Sequence, residues 1–167
     1  MTNPILGLGL PSSVTDKVLL SPIEDLLLAV LREGLPGVPF FTLIPMDVGT
    51  MDFFIMIRRI PIMGNWRGDP RFMDHATISV QIFTKDPHSD DKAAVLGEAI
   101  RVTLFEAARA QKVYPFLGWL KSARMDEGPT RQTDWASTTG PVQYADLPSG
   151  FSRYQATFSV RARRPLK

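Results

Sequence analysis

The chain has 167 residues, a formal net charge of +2, 44% hydrophobic and 22% charged residues, and no cysteine. That length suits one domain with a substantial core, since chains of this size bury roughly two-thirds of their unfolded surface. The lack of cysteine excludes disulfides, thiolate metal ligands and cysteine nucleophiles, and so small a net charge does not by itself argue for nucleic-acid binding.

Residues 1–20 read as an extended arm. Ile5 to Leu20 is interrupted by Gly7, Gly9, Pro11 and Asp16, and no run approaches the ~18–20 apolar residues of a membrane span. The start also lacks the basic and small-residue pattern of a signal peptide, so a soluble chain with no membrane partner is expected. Ser21-Pro22-Ile23-Glu24 opens a helix, with Ser at the N-cap, Pro at the first helical position and Glu placed for a capping box. Ile23, Leu26, Leu27, Val30 and Leu31 form its apolar face, and Gly34 is the expected stop, with Pro36 just beyond.

Val38 to Ile44 and Phe53 to Ile60 read as strands. The second begins Phe53-Phe54-Ile55-Met56-Ile57, apolar on both faces, so a central place in the sheet is expected. The connector from Pro61 to Arg71 holds Trp66 and is longer than most hairpin loops, a length more often functional or interface-forming than inert. In the strand at 76–84, Ile78, Val80 and Ile82 alternate with Thr77, Ser79, Gln81 and Phe83, the period-2 mark of a half-buried strand.

Asp86-Pro87-His88-Ser89-Asp90-Asp91 breaks that strand and supplies the cap and first-turn acids of a helix over roughly 90–110. Ala93, Leu96, Ile100, Leu104 and Ala107 form its predicted buried stripe. Glu98, Arg101, Arg109 and Phe105 fall on the outward side, and an aromatic among charges there is a candidate subunit contact. Phe116 to Met125 reads as another strand, and 126–150 as a long turn-rich insert carrying Trp135 and Tyr144. In the last strand Tyr154, Ala156, Phe158, Val160 and Ala162 alternate with Arg153, Gln155, Thr157, Ser159, Arg161 and Arg163.

Two amphipathic helices over consecutive strands imply an α+β fold with two layers. The expected architecture is a mostly antiparallel sheet of four to five strands with both helices on one face, in a single domain over 21–167. The other face, lined by Thr77, Ser79, Gln81, Thr157, Ser159 and Arg161, is expected to be too polar for a second core layer and is left to water or a neighbouring chain.

No chemistry is specified. The only histidines, His75 and His88, are read at boundaries between loops and elements, and no Gly-x-Ser-x-Gly elbow exists. Asp86, His88, Asp90 and Asp91 are close in sequence, but their spacing matches no metal loop and the aspartates are explained as helix-start acids. Gly7-Leu8-Gly9 lacks the further glycine of a dinucleotide fingerprint. No catalytic residue, metal or cofactor is therefore assigned, and assembly rather than enzymatic work is expected. From Arg153 to Lys167 five basic residues occur with no acid, which leaves a small nucleic-acid-binding module as an alternative from another class.

The element order resembles the tail terminators of long non-contractile-tailed bacteriophages, the neck-side proteins that cap the tail tube. The resemblance spans most of 21–164. It rests on the opening helix Ser21 to Leu27 with Gly-Val-Pro at 37–39, and on Arg71-Phe72-Met73-Asp74-His75-Ala76-Thr77 running through Phe83 into Ala93-Ala94-Val95-Leu96. The closing strand Arg153-Tyr154-Gln155-Ala156-Thr157-Phe158 completes it. The arm at 1–20 and the insert at 126–150 depart from the pattern, and other neck proteins such as head-closure or stopper proteins share much of it. The resemblance implies a homohexameric ring in the virion, assembled in the host bacterial cytoplasm, with the tail tube protein and a head-side connector as partners. DNA passes such a lumen with transient, non-specific contact. Trp66, Phe105, Trp135 and Tyr144 are the candidate subunit contacts, and Arg153, Arg161 and Arg163 the candidate residues facing the lumen or DNA.

Overall fold

The computed structural model describes residues 8–17, 22–60, 73–132 and 150–163. Within them the chain order is α1 (Ser12–Thr15), α2 (Ile23–Gly34), β1 (Phe40–Phe41), β2 (Phe53–Ile60), β3 (Met73–Lys85), α3 (Ser89–Ala110), β4 (Trp119–Arg131) and β5 (Phe151–Arg163). The strands form one sheet in the order β1-β2-β3-β5-β4. Every pairing is antiparallel except β1 with β2, which is parallel. The fold is thus α+β, as the alternation of strand and helix patterns predicts.

Strand periodicity places alternate side chains on opposite faces. Ile55 and Ile57 of β2, Ile78, Val80 and Ile82 of β3, and Ala156, Phe158 and Val160 of β5 share the main core. The same cluster takes in Ile23, Leu26, Leu27, Val30 and Leu31 from α2 and Ala93, Ile100 and Leu104 from α3. The apolar helical stripes and the inward strand positions are therefore one continuous hydrophobic unit. Beside it Arg59 makes a two-pronged ion pair with Asp74, at 2.9 and 3.0 Å, and its backbone N–H donates to Glu24 of α2 at 3.1 Å. Asp74, buried in strand β3, thus keeps a charged partner.

Two glycines are set by close approach. A Cβ on Gly34 would lie 2.4 Å from Thr103 Cγ2, and one on Gly97 would lie 2.2 Å from Pro129 Cγ. The first lets α2 cross α3, and the second lets α3 settle on β4. Gly34 ends α2 as expected, but contact with Thr103 accounts for it rather than a left-handed turn. The positive φ of this connection belongs to Gly37, at 86°.

Several expectations are corrected. The arm is not wholly extended, since Ser12–Thr15 makes one helical turn without a buried residue. Ser21 lies outside the described residues, and Pro22 takes the N-cap place of α2 with no side-chain cap. The strand expected over Val38 to Ile44 shrinks to Phe40–Phe41, because the following residues turn away towards a 3-10 turn at Val48–Thr50. In α3 the N-cap position within that stretch is His88, with φ at 68° and no side-chain cap, and Asp90 and Asp91 are the first-turn acids as expected. Its buried residues include Gly97 and Ala108, whereas Leu96 and Ala107 are only half-buried. The expected loop from 126 is strand as far as Arg131, paired through Thr130 with Gln155 and through Arg131 with Tyr154. Gly128 and Pro129 fall at register shifts in β4, where irregular pairing accommodates them.

Candidate functional site

The outward face of the sheet is the surface that the sequence left open. It is not open throughout. At one end Val48, Phe54, Met56 and Phe83 form a second buried cluster, with Phe41, Ile44, Met51 and Phe151 packed against it. Phe54 stacks on Phe83 at 4.4 Å between ring centroids. The segment joining β1 to β2 folds over this end and supplies Ile44, Val48 and Met51. This corrects the expectation that the face is too polar for any second core layer. It also explains why β2 is apolar on both sides although only the two-residue β1 separates it from the sheet edge.

Beyond that cluster the face turns polar. Across the pairing, Arg58 lies beside Ser79, Ser79 beside Thr157, and Thr157 beside Glu127. Ser79 is 4% exposed, and its hydroxyl has no hydrogen-bond partner among the described residues. Asp126 accepts from Arg124 Nε at 2.8 Å and from the Ser159 hydroxyl, so the acids of β4 engage the middle of the face.

The far end is basic. Arg161 pairs in register with His75, and Arg163 with Met73 on one side and Trp119 on the other. The Arg163 guanidinium lies 5.7 Å from the centre of the Trp119 ring, a cation–π geometry. His75 is inside β3 rather than in a loop, so the boundary position read from sequence is corrected. Arg161 and Arg163 are exposed, whereas Arg153 is half-buried at the opposite end of β5, beside Phe83 in the pairing. The three arginines therefore do not form one patch. Two share the basic end and the third stands by the aromatic cluster.

Phe105 projects from α3 with 51% of its surface exposed, and Arg109 lies over its ring at 5.9 Å. Trp66, Trp135 and Tyr144, the other candidate contacts, lie outside the described residues. Trp119 falls within the strand expected over Phe116 to Met125. Its pairing with Arg163 needs the register of β4 against β5, which no local pattern contains. Among the described residues no three His, Asp or Glu side chains gather around a common point, and no helix is long and apolar enough to cross a membrane.

A polar clamp fixes the end of α3 next to α2. Glu33 accepts from the Tyr114 hydroxyl at 2.8 Å and from the Lys112 ammonium. Burial, helped by the Glu33 carboxylate, pushes the Tyr114 phenol up to about 12 from its ordinary 10. The unfolded chain loses this proton near pH 10 while the folded chain keeps it. The contribution to stability is therefore complete below pH 10 and lost as pH rises towards 12. Thermal unfolding from pH 8 to 12 is expected to show this decline, and Tyr114→Phe to flatten it; an unchanged slope would rule the clamp out as its source.

No protein-family model matches this chain, and no curated protein matches its sequence.

Proposed function

We propose that the chain is a structural virion subunit, a tail terminator that assembles as a hexameric ring, caps the phage tail tube and joins it to the head-side connector. The observation that carries this reading is the broad outward sheet face. β3, β5 and β4 are each 13 residues long, and beyond the aromatic cluster the face carries polar groups, with the acids of β4 in its middle and basic groups at its far end. Such a face is a surface to be apposed to another surface rather than a cleft for a small molecule. Ring closure uses one repeated head-to-tail contact at a fixed rotation, for which an α+β unit built on one five-stranded sheet offers a repeated surface. The cluster of Arg161, Arg163 and Trp119 suits transient phosphate contact in a lumen, where the attraction is electrostatic and independent of sequence.

Native mass spectrometry of the full chain, with electron microscopy of tail tubes grown in its presence, tests the proposal. Six-fold rings that seat on tube ends and stop elongation are expected. A chain that stays monomeric and leaves tube length unchanged would end the reading. Rings that bind the connector but not the tube would make it a head-closure or stopper protein. The same Arg161, Arg163 and Trp119 cluster favours one second reading, a nucleic-acid-binding module. Monomers that hold DNA at low salt and release it steeply as salt rises would establish that instead.

A further inference from the structure

We infer that the outward seam of α3 is a self-association surface, on which α3 of a second copy packs antiparallel about a two-fold axis. Val95, Glu98, Val102, Phe105 and Arg109 are spaced three and four residues apart in alternation, the repeat that aligns side chains along one side of a helix for pairing. This line lies opposite the buried one of Ala93, Gly97, Ile100, Leu104 and Ala108. Val95, Val102 and Phe105 are 69%, 37% and 51% exposed, so the protomer leaves the seam uncovered.

Charge order selects the partner and its direction. In an antiparallel pair the residue numbers of facing positions have a constant sum. One register sets Val102 against the partner's Phe105 at the axis and Glu98 against the partner's Arg109 on both sides of it. The neighbouring register sets Glu98 against the partner's Val102, an acid on an apolar side chain. Parallel pairing would set Glu98 on Glu98 and Arg109 on Arg109, which repel. A second copy in the first register is the occupant that meets both the apolar and the charged positions. Arg109 already lies along the Phe105 ring and Arg101 holds Glu98 at 2.6 Å, so both charges are positioned before contact. The seam offers five side chains, against the roughly 20–30 residues a side of a standard interface, so association is weak and concentration-dependent. A two-fold contact cannot close a six-membered ring, so this inference goes beyond the proposed function and stands or falls separately.

The chain has no cysteine of its own, so single-cysteine variants of the full chain report the geometry. The two copies of position 102 lie ~5 Å apart along the axis and those of position 95 ~26 Å apart. A short bismaleimide is expected to join Val102→Cys and not Val95→Cys. Linking both equally, or neither, would overturn the antiparallel register. In sedimentation at low salt, Glu98→Lys and Arg109→Glu are each expected to weaken self-association about tenfold, a loss of ~1.4 kcal/mol. The combined swap is expected to restore it, with unchanged thermal melting showing that each variant folds. A combined swap as weak as either single change would sink the inference. So would a Phe105→Ala variant that associates like the parent chain.

Discussion

Replacing Phe54 by alanine is expected to lower stability by about 3–5 kcal/mol, the range for a large buried aromatic cut back to a methyl group. Phe54 is fully buried on the outward sheet face. It stacks on Phe83 with an interplanar angle of 6° and meets Phe151 and Phe41 edge-on, at 5.6 and 6.5 Å. Alanine removes all three ring contacts and leaves a hole that Val48 and Met56 only partly close. For a chain of this length the loss lowers the melting temperature by about 10 °C. Urea unfolding is the check, read as a lower midpoint with an unchanged slope. A loss under ~1 kcal/mol would mean that the segment over this face packs loosely and the face is open after all. Phe105→Ala is the internal comparison: equally aromatic but half-exposed, it is expected to change stability by no more than ~0.5 kcal/mol.

The Gly97→Ala variant is expected to destabilise although alanine is the better helix former. Propensity alone would add up to ~1 kcal/mol. Against it stands the Cβ, 2.2 Å from Pro129 Cγ and 3.1 Å from its Cδ. The proline ring cannot rotate away as a flexible side chain would, so β4 must retreat from α3. Overpacking of this kind costs about 1–3 kcal/mol, for a net loss of up to roughly 2 kcal/mol. Because among the described residues β4 pairs only with β5, the strain is expected at the sheet edge. Hydrogen exchange at Met125 to Arg131 should quicken more than exchange in β3. A variant more stable than the parent chain would show that the contact yields at little cost.

Both expectations concern places where a reading of residues in order falls short. The apolar run of β2 was plain, and its bounds at Phe53 and Ile60 coincide with the sequence reading. The reason for its second apolar face was not, because the cover comes from Ile44, Val48 and Met51, whose own stretch has no regular pattern. Gly97 looked like any small residue in a helix until Pro129, 32 positions later, was brought against it. The candidate surface divides in the same way. Arg161 and Arg163 were legible as outward residues of an alternating strand, whereas their separation from Arg153 follows from the length of β5 and the aromatic cluster at its start. Phe105 was legible because one turn of helix geometry is enough to place it outside.

Local order in this chain therefore determined what local forces govern. Alternation of apolar and polar side chains marked the strands β3 and β5, and a short run apolar on both faces marked β2. The three-to-four spacing fixed the inner and outer sides of α2 and α3. Tertiary structure alone decided the parallel pairing of β1, the extension of β4 to Arg131, the second aromatic cluster and the Trp119–Arg163 contact. Each of these depends on segments far apart in the chain. The free energy that selects them is burial and hydrogen bonding between those segments, and no window of neighbouring residues contains it.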